Sequence, residues 1–90
     1  MSAVWKYELP DIERHPVDLE WPAGRIVHVG RDARGQWCAW VHIHNEDAAT
    51  VKRCVYMVGT GHYLPDSAIS HVSTITDGPF VWHFFVTDES

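Results

Sequence analysis

The chain reads as an all-β domain, an antiparallel meander of about six to seven strands with room for one short helical turn. The meander either closes as a small barrel or stacks as a two-layer sandwich. Three observations point there. Apolar and polar residues alternate with a period of two through most of the sequence. The alternating segments are short and separated by turn residues. No segment sustains the 3.6-residue period of an amphipathic helix. At 90 residues the chain forms one domain, residues 1–90, with a single core. Barrel closure would also remove exposed edges, which a sheet this aromatic needs to protect.

Each element follows from its pattern. Trp5, Tyr7 and Leu9 alternate with Lys6 and Glu8, a half-buried strand that Pro10 ends. Val17, Leu19 and Trp21 alternate with Asp18 and Glu20, after which Pro22-Ala23-Gly24 turns the chain. Arg25 to Gly30 is a third strand, with Val27 and Val29 assigned to one face. The polar, Gly-ended segment from Arg31 to Gly35 is a hairpin connection. Over Gln36 to His44, Trp37, Ala39, Val41 and Ile43 alternate with Cys38, Trp40, His42 and His44. Both sets carry large groups, so this strand is central and covered on both faces at its start.

Asn45 to Thr50 is a loop, and Thr50 to Gly59 is rich in β-formers. Leu64 to Ala68 is the place for the helical turn, with Asp66 and Ser67 as caps. Ile69 to Thr76 is β-branched, and Asp77-Gly78-Pro79 turns tightly. In the last strand Phe80, Trp82, Phe84 and Val86 share one face, opposite Val81, His83 and Phe85. The acidic tail Asp88 to Ser90 is expected to fray.

Charge removes several function classes. Seven Lys and Arg stand against twelve Asp and Glu, a formal net charge of −5. Nucleic-acid binding needs a basic surface to displace phosphate counterions, and peripheral membrane binding needs basic clusters. Only Arg31 and Arg34, with Arg25 nearby, group locally. Neither nucleic acid nor membrane is therefore an expected partner. Two cysteines without a CxxC spacing make no disulfide framework. Residues 1–9 contain no apolar signal core, and no apolar run reaches a membrane span. The expectation is a soluble, cytoplasmic protein with reduced thiols.

Four constellations bear on function. His42-Ile43-His44 places two imidazoles on one face of a strand, as β-sheet metal sites do, and a zinc site would need converging further ligands. Cys54 or Arg53 would lie beside His42, depending on how segments 36–44 and 51–58 pair. Gly59-Thr60-Gly61-His62 marks a corner whose two glycines supply positive φ. His83 comes beside that corner if the last strand closes there. Finally, five tryptophans are hard to hide in ninety residues. Trp21, next to a turn, and Trp37, after a polar loop, are the candidates for exposed anchors.

Trp5-Lys6-Tyr7-Glu8-Leu9, Pro22-Ala23-Gly24, Cys38-Ala39-Trp40, Gly59-Thr60-Gly61-His62 and Val81-Trp82-His83-Phe84-Phe85 occur in this order over most of the chain. In this the sequence resembles a family of short, uncharacterised bacteriophage and prophage proteins. That family has a WKYxL start, a central GTGH and a terminal VWHxF. The resemblance implies a phage gene product made inside the host cell, with no assigned activity. It places His62 and His83 among the family's recurrent residues. Family members carry a Val-Asp-type segment where this chain has His42 and His44, which counts against a metal site.

The functional expectation is a non-enzymatic interaction module that binds and modulates a host or phage protein, with no cofactor. Its tentative contact residues are Trp21, Trp37, Gly59, Thr60, Gly61, His62 and His83. The alternative is a small metal- or ligand-binding β-barrel that uses His42 and His44 or the His62 and His83 corner. An exposed edge or tryptophan patch would be covered by a two-fold contact, so a homodimer fits either reading.

Overall fold

The structure is a computed structural model and describes residues 2–66 and 69–87. It contains seven strands: β1 (Ala3–Glu8), β2 (Val17–Pro22), β3 (Gly24–Arg31), β4 (Trp37–Ile43), β5 (Thr50–Gly59), β6 (Ile69–Asp77) and β7 (Phe80–Thr87). They form two antiparallel sheets, one in the order β1-β4-β3 and the other β2-β5-β7-β6. The molecule is only 18 Å across its short axis, the thickness of two stacked sheets and their side chains. It is therefore a sandwich and not a closed barrel.

The connectivity is less sequential than a meander. Only β3–β4 and β6–β7 are neighbouring hairpins, while β1, β2 and β3 alternate between the layers. No helix is present among the described residues. The helical turn expected over Leu64 to Ala68 does not form in Leu64–Asp66, which is irregular chain ending in a bend. Ser67 and Ala68 lie outside the described residues, as does the tail from Asp88 to Ser90.

The inner faces follow the period-two pattern. Val17 and Trp21 from β2 and Val55 from β5 meet Phe84 and Val86 from β7 in the four-stranded sheet. Trp37, Ala39, Val41 and Ile43 line the opposing strand β4, all at most 3% exposed. Trp37 and Phe84 touch across the layers with ring centroids 5.0 Å apart. Burying a side chain of this size contributes about 1.5–3 kcal/mol. Leu9 and Ile12 are also fully or almost fully buried. Between them Pro10 and Asp11 start a turn, with Asp11 at φ 56° and its carbonyl accepting the N–H of Arg14 at 2.9 Å. Asp tolerates this left-handed conformation better than most residues.

β4 is central, as its sequence implies, with β1 and β3 on its two sides. Its outer face is covered at the start by the β3–β4 connection. Asp32 Oδ1 accepts the backbone N–H groups of Arg34 (2.9 Å) and Gln36 (3.0 Å). Asp32 Oδ2 takes Lys6 Nζ at 3.2 Å and lies 3.7 Å from both Arg34 and Cys38 Sγ. Beneath it Cys38 is fully buried. Burial, and then the negative charge of Asp32, push the Cys38 thiol pKa up. Partial burial alone would raise the Asp32 carboxyl, but the two backbone N–H donors and Lys6 outweigh it and hold the pKa down to about 2.

One side of the sandwich is joined. β3 and β6 are the edges of different sheets and run side by side. The β3 register slips between Ile26 and His28, and the β6 register slips between His71 and Ser73. Each bulge bends its strand toward the other sheet. At the junction the N–H of Val29 donates to Ser73 Oγ at 2.9 Å, and Ser73 Oγ lies 3.2 Å from His28 Nδ1. The slip also corrects the expected face of β3. Ile26 and Val29 point inward, whereas Val27, the extra residue of the bulge, is 48% exposed.

Two predictions follow from these contacts. Ser73→Ala leaves the Val29 N–H buried without an acceptor and costs about 1–3 kcal/mol in urea unfolding. Thr76→Ala, at an exposed position of the same strand, changes stability by no more than about 0.5 kcal/mol. Asp32 is more acidic folded than its ordinary value of 3.8. Its ionised form therefore favours folding above that value, and the contribution is lost as pH falls through about 2. Asp32→Asn flattens the pH dependence of stability between those limits, measured by thermal unfolding at several pH values.

Candidate functional site

The corner after β5 is built on a tight turn. The N–H of His62 donates to the carbonyl of Gly59 at 3.0 Å. Gly61 occupies φ +91°, the left-handed geometry that side chains resist at this point of a turn. Of the two glycines expected to supply positive φ, only Gly61 does so. Gly59 lies close beneath two rings. A Cβ there would meet His62 Nδ1 at 3.2 Å and the Trp82 ring at 3.3 Å.

The last strand closes beside this corner, since Gly59 pairs with Trp82 and Val58 with His83. His62 and His83 nevertheless do not converge. The His62 ring lies over Gly59 on the face that carries Trp82. His83, the next residue of β7, points to the opposite face of the sheet. There Thr60 Oγ1 is 2.8 Å from His83 Nε2, and Thr74 Oγ1 is 3.1 Å from His83 Nδ1. His71 Nε2 lies 2.8 Å from the same Thr74 hydroxyl. A neutral imidazole donates from one ring nitrogen and accepts at the other, and the two hydroxyls supply both partners. This row clips Thr60, and with it the corner, to β7 and β6.

On the other face the corner is aromatic. Phe80 stacks on Trp82 with ring centroids 5.7 Å apart and planes 21° from parallel. Together with His62, Pro79 and Gly59 they line an open depression of about 360 Å3. Phe80 is 57% exposed and Tyr63 98% exposed. Phe80 belongs to the inner face of β7, as its alternation implies, but stands where the sandwich ends and no opposing strand covers it. Alternation assigns a face and cannot show where a layer stops, so neither residue was singled out in the sequence. A depression of about 420 Å3 beside β2 is lined instead by mixed charges, with Lys52 and Glu20 3.6 Å apart.

Trp21 and Trp37 are not exposed anchors. They are 1% and 3% exposed. Trp21 pairs with Val51 on the inner face and sits 6.0 Å from the Tyr7 ring. Trp37 lies between Phe84 and the Arg31 guanidinium, which stacks 4.5 Å from its ring centre. A place next to a turn did not expose either ring, because its strand parity turns it to the core.

His42 and His44 do share a face, with rings 4.3 Å apart. The neighbours of His42 in the sheet are Val4 and Arg25. Neither Cys54 nor Arg53 lies beside it, because β4 and β5 belong to different sheets. Among the described residues no three His, Cys, Asp or Glu side chains gather to hold a metal ion. Both cysteines are free, and burial raises the thiol pKa of Cys54 as it does that of Cys38. The local arginine cluster is neutralised, with Arg31 on Asp77 (3.0 Å) and Arg34 on Glu8 (3.1 Å).

Residues 1–90 match a single family model over their whole length, a domain of unknown function, DUF7352. The chain belongs to the DUF7352 family. No curated protein and no solved structure matches it. Membership thus agrees with an uncharacterised family and adds no activity to the geometry of the corner. Among the described residues of this DUF7352 domain, no helix is long and apolar enough to cross a membrane.

The corner makes one direct prediction. Gly59→Ala requires His62 or Trp82 to give by a few tenths of an ångström. Adding His62→Ala removes one of the two crowding rings, so Gly59→Ala is better tolerated in the His62→Ala background than in the wild type, read as the unfolding midpoints of the single and double variants.

Proposed function

We propose that this DUF7352 domain is a non-enzymatic interaction module that binds a protein partner through the aromatic end of its four-stranded sheet. The exposed Phe80 ring stacked on half-buried Trp82 beside His62 is the observation that carries this reading. Aromatic side chains give much contact area for little conformational entropy and dominate the energetics of protein interfaces. The pair is anchored at one end, since Trp82 packs against the core, and open at the other. The partner's side chains enter the depression between Phe80 and His62, and Tyr63 and Leu64 extend the contact. The net charge of −5 favours a partner whose surface is basic around its apolar centre. In the phage setting that the motifs suggest, the partner is a host or phage protein and the meeting place is the host cytoplasm.

A photo-crosslinking residue placed at position 80 tests this. It captures a defined partner, whereas the same residue at position 27, on the β3 bulge, does not. Phe80→Ala and Tyr63→Ala each then raise the Kd for that partner about tenfold or more while the fold is kept. Equal capture from both positions, or unchanged affinity in both alanine variants, would refute the reading.

A further inference from the structure

With β3 and β6 joined to each other, the remaining sheet edges are β1 and β2. The backbone groups each edge presents follow from two hydrogen bonds. The N–H of Leu9 donates to the carbonyl of Trp37, continuing the β1–β4 register. Odd-numbered residues of β1 therefore bond to β4, and Val4, Lys6 and Glu8 point their N–H and C=O groups outward. The N–H of Ala23 donates to the carbonyl of Ala49, in register with β2–β5. By the same parity Asp18, Glu20 and Pro22 face the open edge of β2.

The two edges differ in what they accept. A second copy that adds antiparallel to β2 sets carboxylate against carboxylate in every register that overlaps Asp18 and Glu20, and Pro22 has no N–H to give. This edge repels itself. β1 carries one charge of each sign, and its side chains are well exposed, 42% for Lys6 and 57% for Glu8. Backbone pairing of β1 with β1 requires even-numbered residues to face even-numbered residues. Aligning Lys6 on Lys6 or Glu8 on Glu8 opposes like charges, and aligning Val4 on Lys6 pairs none. Only the register with Tyr7 on the two-fold axis sets Lys6 of each copy against Glu8 of the other.

We propose that the β1 edge is a self-association surface whose occupant is a second copy of this chain, paired antiparallel about Tyr7. The two three-stranded sheets then become one continuous sheet across the two-fold axis. The charges form an alternating circuit. Lys6 already lies 3.2 Å from Asp32, and Glu8 lies 3.1 Å from Arg34, so the new Lys6–Glu8 contacts link existing pairs of opposite sign. The half-buried ring of Tyr7 comes against Tyr7 of the second copy at the axis, with the half-buried ring of Trp5 beside it on the same face. This surface belongs to the three-stranded sheet and is independent of the aromatic corner on the other sheet.

Sedimentation velocity on the full chain, from about 10 μM to about 1 mM, tests the proposal. The wild type forms a dimer whose Kd rises with salt, because exposed ion pairs are screened. Lys6→Glu and Glu8→Lys each place like charges across the axis and raise the Kd about tenfold or more. An equimolar mixture of the two variants restores association, because one copy then carries two carboxylates on this edge and the other two ammonium groups. Lys6→Pro removes an outward-facing N–H together with the ammonium that pairs with Asp32, keeps the backbone bonds of the odd-numbered β1 residues to β4, and also weakens the dimer. Circular dichroism confirms that each variant is folded. A wild type that stays monomeric over this range overturns the proposal. So does a dimer indifferent to the single variants, or a loss that mixing the two variants does not repair.

Discussion

The N–H of Val29 has no strand beside it within its own sheet, and it is Ser73 of the other sheet that accepts it at 2.9 Å. That bond sits between two bulges, one in β3 and one in β6. An extra residue in each edge strand increases the local twist and turns the two edges toward one another. One side of the sandwich is thereby closed without a continuous ladder. The remaining exposed edges are β1 and β2, and the ends of the layers stay open. Much of what is accessible on this protein follows from that asymmetric closure.

The four-stranded sheet offers two unlike surfaces at one end. On its outer face, hydroxyls and imidazoles alternate through Thr60, His83, Thr74 and His71. On its inner face, where the opposing layer stops, Phe80 and Trp82 stack in the open beside His62. The first surface is held by hydrogen bonds between its own members. The second has apolar area that none of the described residues covers. The uncovered apolar area therefore lies on the aromatic side, and the polar row holds the corner that borders it.

How much of this was legible can be judged residue by residue. The fold class, the strand positions and the central place of β4 were readable because period-two alternation is local and each strand buries one face. The nearness of the Gly59–His62 corner to β7 hung on whether the last strand closes there, and the β5–β7 register decides that. Opposite faces for His62 and His83 were not, because that depends on a turn that folds His62 back over Gly59. Trp21 and Trp37 were misread because closeness to a turn was weighed above parity, and parity buried both. Val27 was misread for the opposite reason, since a bulge shifts parity by one residue and leaves no mark in the alternation. The supposed choice of Cys54 or Arg53 beside His42 assumed that consecutive strands pair, which the division into two sheets prevents.

By itself the sequence determined the strand positions, the acidic character and the inner face of most strands, because propensity, charge and alternation act over a few neighbours. Tertiary structure alone decided strand order, the joined edges of β3 and β6, and where each layer ends. Those features depend on which strands meet across long stretches of chain, and they determine which of the five tryptophans and seven histidines remain within reach of another molecule.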